Sequence, residues 1–252
     1  MNTQTAKILC AINSAFYRAN ARSFSATRTA PWLGWSTCLE AVDGVSLDGR
    51  DAVSVLDLAC GNLRFEGFFG HAFPGAKAAF HAVDNCDELL PATSSVHYRR
   101  LDVISALLDG TLSDGLREIP PCDLSVSFGF LHHVPGAQHR EDILSHLVRQ
   151  TRSGGYAIVS LWQFMRDPNL AKKAYATHVR ATEELGLPAL DAGDYLLGWK
   201  NLPGAYRYCH SFSEDEIDAL AESVAKEAVL VRRFTSDGRT GTLNAYLVFR
   251  VR

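Results

Sequence analysis

The sequence has no apolar run near the roughly 20 residues needed to span a bilayer. Its opening residues, Met1-Asn2-Thr3-Gln4-Thr5, also lack the basic-then-apolar order of a signal peptide. A soluble protein with no membrane partner and a cytoplasmic default location is expected. The six cysteines, Cys10, Cys38, Cys60, Cys86, Cys122 and Cys209, include no C-x-x-C pair. Neither a metal site nor a disulfide framework is indicated, and reduced, mostly buried thiols are expected. A basic excess is missing too: the formal net charge is −3, whereas nucleic-acid binders usually carry positive charge to neutralise phosphates. Acids are nevertheless absent from Met1 to Trp35, which holds Lys7, Arg18, Arg22 and Arg28. Near the end Arg232, Arg233, Arg239, Arg250 and Arg252 face only Asp237. These basic ends suit an anionic partner or a solvated surface equally.

What is present is enough apolar material, 47% of 252 residues, for one large domain or a domain with an elaborated lid. The chain is organised around Val53 to Phe65. Val53, Val55, Leu56 and Leu58 form a short strand, Cys60-Gly61-Asn62 breaks it, and a helical pattern follows to about Phe73, closed by Pro74-Gly75. Gly61 permits close backbone approach to a ligand, and the helix start offers free N–H groups. Ala78 to Val83 reads as a second strand ending at Asp84, where a carboxylate can accept both hydroxyls of a ribose. Val96 to Leu101 is a third, edge strand followed by Asp102-Val103; Asp102 suits an adenine amino group or a helix cap. Cys122 to Phe128 is a fourth, delivering Gly129 to Pro135, with His132 and His133, to the same carboxyl edge. A helix from about Gln138 to Arg152 is expected to stop at Gly154-Gly155, before a fifth strand, Tyr156 to Trp162. These β–α units predict a doubly wound α/β sheet with helices on both faces.

Before this core, Ile8, Leu9, Ile12, Phe16 and Ala19 predict an inward helix face within Lys7 to Ser23, covering the open mouth of the sheet. Pro31 predicts the first turn of a second helix to about Val42, with Trp32 and Trp35 in the core or against a ligand. The predicted division is a helical cap over 1–45 and a main domain over 46–252, with a lid inserted at about 163–210. In that insertion a helix from Pro168 to Leu185 would share a face of Ala171, Tyr175, His178, Thr182 and Leu185, followed by a Gly-, Pro- and aromatic-rich loop. Ser213-Glu214-Asp215-Glu216 is a capping box, and two strands, about Ala228 to Phe234 and Leu243 to Val251, close the chain.

Asp57-Leu-Ala-Cys-Gly61-Asn, Asp84, Gly154-Gly155 and the terminal hairpin together resemble a class I S-adenosylmethionine-dependent methyltransferase. The resemblance implies a Rossmann-like, mostly parallel seven-stranded sheet with an antiparallel last strand beside strand five, and S-adenosylmethionine as cofactor. It displaces a dehydrogenase reading, which needs the G-x-G-x-x-G that is missing here. The implied cofactor contacts are Asp57, Ala59, Cys60, Gly61, Asp84, Asn85, Asp102, Val103, Phe128 and Gly129. Ala59 and Leu63 stand where the family has its outer glycines, and Leu63 leaves open how closely the chain approaches the cofactor. A narrower set is similar to the tRNA wobble-uridine carboxymethyl methyltransferases: Phe16-Tyr17 through Asn20-Ala21-Arg22-Ser23-Phe24-Ser25-Ala26-Thr27-Arg28 and Pro31-Trp32, then Cys60-Gly61-Asn62, His132-His133, Ser160-Leu161-Trp162, and Arg207-Tyr208-Cys209-His210-Ser211-Phe212. That family esterifies 5-carboxymethyluridine in tRNA, and its eukaryotic members work with a small zinc-binding activator protein. Cys209 replaces the second Tyr of its Arg-Tyr-Tyr-His segment.

Methyl transfer from a sulfonium needs placement more than a strong base, and placement can supply roughly 7–11 kcal/mol in favourable cases. A carboxylate acceptor is already ionised, so Arg28 and Arg207 are the candidate clamps, with ion pairs to neighbouring acids as the structural alternative. His132 and His133 can orient substrate, act as bases for a hydroxyl or amine, or simply pack and cap their loop. Trp162 and Tyr208 can stack on a base or be buried. Three readings stand: a tRNA carboxyl methyltransferase, a small-molecule O- or N-methyltransferase of the same fold, and a cofactor-binding protein without turnover.

Overall fold

The computed structural model describes residues 1–42, 52–73, 77–91 and 96–252. The Pro74-Gly75 stop and the predicted boundary between residues 45 and 46 lie outside them. In chain order the elements are α1 (Thr3–Ser25), α2 (Leu33–Glu40), β1 (Val53–Leu58), α3 (Arg64–Ala72), β2 (Ala78–Asp84), β3 (His97–Arg100), α4 (Val103–Leu108), α5 (Leu112–Leu116) and β4 (Cys122–Ser127). There follow α6 (Ala137–Arg149), β5 (Thr151–Trp162), α7 (Pro168–Glu184), β6 (Asp194–Gly198), β7 (Tyr206–His210), α8 (Glu214–Ser223), β8 (Ala228–Ser236) and β9 (Asn244–Val251).

Seven strands form one sheet in the order β3-β2-β1-β4-β5-β9-β8. β1, β2, β3, β4 and β5 pair in parallel, and β9 lies antiparallel between β5 and β8. Alternation along the strands decides which core each residue enters. Leu56, Leu58, Ala157, Val159, Leu161, Leu247 and Phe249 join α4, α5, α6 and α8 on one face. Val53, Val55, Leu124, Val126, Ile158 and Val248 meet Trp35, Phe65 and Phe69 from α2 and α3 on the other. β3 is an edge strand, as its weak apolar pattern predicts.

Several local expectations are corrected. α6 ends at Arg149 and Gly154-Gly155 lies inside β5, where the register to β4 shifts between Cys122 and Leu124. Gly154 has φ +76°, and a Cβ on Gly155 would sit 2.7 Å from the Asp123 carbonyl oxygen. The pair therefore serves a bulge with close strand approach rather than a helix stop. In α1 Ile8 and Ala19 face outward, while Ala6, Leu9, Cys10, Asn13 and Phe16 face in. In α7 the buried positions are Ala174 and Ala181, and Tyr175 and Leu185 are exposed. α2 starts at Leu33, with Trp32 rather than Pro31 before it. The aromatic-rich loop contains a second, two-stranded antiparallel sheet, β6 with β7.

α1 packs against that small sheet. Leu9 sits among Ala181, Leu196, Tyr206 and Tyr208. Asn13 pairs with one β7 residue at both backbone groups: its Oδ1 accepts the Tyr208 N–H at 2.7 Å, and its Nδ2 donates to the Tyr208 carbonyl at 3.2 Å. All six cysteines are free and buried. No described helix is long and apolar enough to cross a membrane.

Candidate functional site

A cavity open to solvent at its mouth lies at the carboxyl ends of β1, β2 and β4. The ten predicted cofactor residues, Asp57, Ala59, Cys60, Gly61, Asp84, Asn85, Asp102, Val103, Phe128 and Gly129, all line it. Asp84 binds the glycine turn directly, its carboxylate accepting the N–H groups of Gly61 and Cys86, each at 2.9 Å. Asp102 caps α4 by accepting from Ser105 N–H at 2.9 Å, and also accepts from Asn85 Nδ2 at 2.8 Å. Both structural roles leave the acids at the cavity wall. Burial, and then the charges of Glu66 and Asp84, hold the Asp57 carboxyl well above its ordinary range. Behind it, burial pushes Glu66 up to about 7, and neither of its carboxyl oxygens has a hydrogen-bond partner among the described residues.

The segment after α1 closes over this cavity because the turn holds it. Asn62 Nδ2 donates to the Arg28 carbonyl at 3.2 Å and Arg64 Nη1 to the Ala30 carbonyl at 2.9 Å. Trp32 and Trp35 both line the cavity, Trp35 also packing in the core. A second cleft adjoins the first, sharing Tyr17, Phe24, Arg28, Trp32, Gly129 and His133, and adds His132, Trp162 and Arg207. The four predicted catalytic side chains, Arg28, His132, His133 and Arg207, thus converge from α1's exit, the β4 loop and β7.

His133 is fastened on both sides. Its Nδ1 lies 2.9 Å from the Tyr208 carbonyl, which only accepts, so Nδ1 carries the proton and Nε2 accepts from the Tyr17 hydroxyl at 2.8 Å. Burial drives its pKa down to about 3, and burial with the adjacent His133 takes His132 well below its ordinary value. Both rings are neutral at pH 7. His132 Nδ1 is buried and unpartnered among the described residues, with the Trp162 ring centroid 5.1 Å away. Tyr208, fully buried with its hydroxyl donating to Asp194 Oδ1 at 2.7 Å, lines neither cleft. Of the two residues expected to stack or be buried, Trp162 lines the second cleft.

Arg207 is 7% exposed, and its Nη1 has no hydrogen-bond partner among the described residues. Among the described residues neither Arg207 nor Arg28 meets a carboxylate. Burial lowers the Arg28 guanidinium to about 10, and the Arg207 charge adds to the effect. Two desolvated cations beside a cleft favour an anion there. They also oppose a metal ion at the one described ligand cluster, His132, His133 and Cys209, whose ligand atoms lie within 4.8 Å of one another. Both His133 nitrogens are already engaged.

The architecture matches solved structures. A S-adenosylmethionine-dependent methyltransferase from Methanosarcina mazei superposes with a TM-score of 0.55 at 14% identity, covering 80% of this chain and 93% of that one. This chain has the class I methyltransferase fold. LepI in complex with S-adenosylmethionine gives a TM-score of 0.54 at 11% identity, over 89% of this chain and 49% of that one. In sequence the chain is similar to the mouse tRNA (carboxymethyluridine(34)-5-O)-methyltransferase ALKBH8, 26% identical over 168 residues, which is 66% of this chain and 22% of the relative. The tRNA (carboxymethyluridine(34)-5-O)-methyltransferase of Arabidopsis thaliana is 26% identical over 58% of this chain and 31% of its own length. The chain therefore spans under a third of these relatives. No family model matches it.

Within the methyltransferase fold the altered glycine motif keeps its backbone. Ala59, Gly61 and Leu63 have φ of +67°, +56° and +58°, so all three positions adopt the left-handed conformation that glycine favours. Leu63 turns away from the cavity into a cluster with Cys60, Ala82 and Tyr98, which answers how the chain approaches the site despite a large side chain. Sequence reasoning missed Asn13, whose polar side chain interrupts the α1 stripe and could have signalled a buried partner. It also missed Glu66, and it named Tyr17 as a motif residue without a role.

Proposed function

We propose that this chain is an S-adenosylmethionine-dependent methyltransferase that esterifies a carboxylate, that of 5-carboxymethyluridine in tRNA. The observation that carries the reading is the pair of guanidiniums, Arg28 and Arg207, with no acid partner among the described residues, in a cleft that opens into the nucleoside-type cavity. Each guanidinium can hold a carboxylate through parallel hydrogen bonds. The sequence relatives named above support this acceptor.

The residues present fit the cofactor. Asp84 offers a carboxylate for ribose hydroxyls, Asn85 and Asp102 flank the base position, and Asp57 offers a buried carboxyl to a cationic ligand. When bound, S-adenosylmethionine supplies an electrophilic methyl group. The chain's own residues bind, orient and exclude water. Arg28 and Arg207 neutralise and aim the acceptor, so no proton needs to move, and His132 and His133 remain neutral walls rather than bases. His133 instead locks α1 to the β4 loop through Tyr17, with Trp162 available to stack on a base. The stretch over 163–210 acts as the lid, the setting is cytoplasmic, and stimulation by a small activator protein is read in the same assay.

Purified protein incubated with methyl-labelled S-adenosylmethionine and tRNA containing 5-carboxymethyluridine should yield base-labile methyl counts. The net charge of −3 favours a second reading, a small-molecule acceptor. Label transferred only to a metabolite extract would support that reading, and cofactor binding with no transfer to either pool would support a non-catalytic protein.

A further inference from the structure

Two guanidiniums side by side repel one another, and Arg28 and Arg207 have no carboxylate among the described residues to hold them. What they have is aromatic faces. Arg28 lies 3.4 Å over the Phe24 ring and 5.7 Å from that of Trp199. Arg207 lies 5.2 Å from the Phe16 ring, 6.0 Å from Phe24 and 5.4 Å from Trp199. Phe16 and Phe24 belong to α1, but Trp199 comes from the distant turn after β6.

That turn is built in a costly way. The Leu202 N–H donates to the Trp199 carbonyl at 2.9 Å, and the two residues between, Lys200 and Asn201, have φ of +47° and +56°. This is a tight turn with both central residues left-handed, a geometry that normally recruits Asn and Gly, set inside the loop over 199–205 that joins β6 to β7, and Lys200 is an unfavourable occupant. Such strain persists only where the surroundings fix it. Here Trp199 Nε1–H donates to Ser23 Oγ at 2.8 Å, and Lys200 Nζ lies 5.4 Å from the same ring. The turn thus delivers one indole to the exit of α1, where it touches both arginines.

We propose that Trp199 is a positioning residue that seats Arg28 and Arg207 together for an anionic acceptor, coupling the β6–β7 hairpin to the acceptor site. The proposal rests on the reading of the two arginines as an anion clamp. Trp199 does not itself line either cleft, so its action runs through the guanidiniums.

The test follows the arginine side-chain Nε–H resonances of the ¹⁵N-labelled protein during titration with 5-carboxymethyluridine nucleoside. Cofactor-site integrity is measured separately by S-adenosylhomocysteine affinity. In the wild type two protected, ring-current-shifted arginine signals should move with the nucleoside. In Trp199→Ala they should lose protection and nucleoside affinity should fall about tenfold, with S-adenosylhomocysteine affinity unchanged. Trp199→Phe should restore both, while Ser23→Ala, which keeps the ring and removes only its hydrogen bond, should fall between. Protected signals that persist in Trp199→Ala, or a Phe variant as defective as Ala, would overturn the positioning role. Wild-type signals that ignore the nucleoside yet lose protection in Trp199→Ala would overturn the clamp reading itself.

Discussion

Ala59 and Leu63 share one backbone conformation but should respond oppositely to glycine. Each holds a left-handed φ that costs an L residue roughly 1–2 kcal/mol, so either substitution relieves that much strain. Glycine returns about 0.4–1 kcal/mol of this by loosening the unfolded chain. Ala59 loses only a methyl at the cavity wall, and Ala59→Gly should stabilise the protein by about 0.5–1 kcal/mol. Leu63 is 8% exposed and packed with Cys60, Ala82 and Tyr98. Removing a buried Leu side chain costs about 2–5 kcal/mol, so Leu63→Gly should be net destabilising, by about 2 kcal/mol. Urea unfolding of both variants, compared at equal m-value, measures the difference. A destabilised Ala59→Gly, or a stabilised Leu63→Gly, would refute the claim that these residues occupy glycine conformations and that the leucine is kept for packing.

Glu66 has its folded pKa raised from 4.5 to about 7, so its contribution is favourable in acid and is lost as pH rises through 7. Glu66→Gln should therefore stabilise the protein at pH 8, by about 3 kcal/mol at most, and not at pH 5, as urea midpoints at the two pH values will show. His133 is the opposite case: its folded pKa of about 3 lies below the ordinary 6.5. Its neutral ring supports the fold above pH 6.5, and that support drains away as pH falls towards 3, about 3 kcal/mol of it by pH 4. His133→Gln should flatten this acid limb. Asp84→Asn keeps size but gives up the charged acceptor for Gly61 and Cys86 N–H groups. S-adenosylhomocysteine affinity should drop about 10- to 100-fold by calorimetry.

The sheet was legible because its strands are short apolar runs ended by turn residues, and Asp84 and Asp102 follow from where those strands end. α1 was legible as a helix, but not in its facing. Hydrophobicity favours Ile8 over Asn13, while Asn13 is inward because it satisfies both backbone groups of Tyr208. Gly154-Gly155 misled because a left-handed glycine serves a helix stop and a strand bulge equally, and only the approach of Asp123 distinguishes them. β6 and β7 were hidden because their partner is each other rather than the main sheet. Pairing across a loop holding Lys200 and Asn201 in left-handed conformations gives no Asn-Gly signal. The four catalytic candidates were found one at a time, as motif residues. Their convergence, and the absence of described acids around the arginines, are properties of tertiary packing.

Under the proposed function, Arg28 and Arg207 hold an acceptor carboxylate beside the cofactor. The most direct measurement is base-labile methyl incorporation into tRNA bearing 5-carboxymethyluridine by the wild type, Arg28→Ala and Arg207→Ala, with S-adenosylhomocysteine affinity measured on each. The wild type should form labile ester, and both variants should lose it by at least about 100-fold while cofactor affinity is kept. Ester formed at undiminished rate by either variant would contradict that role of the arginines.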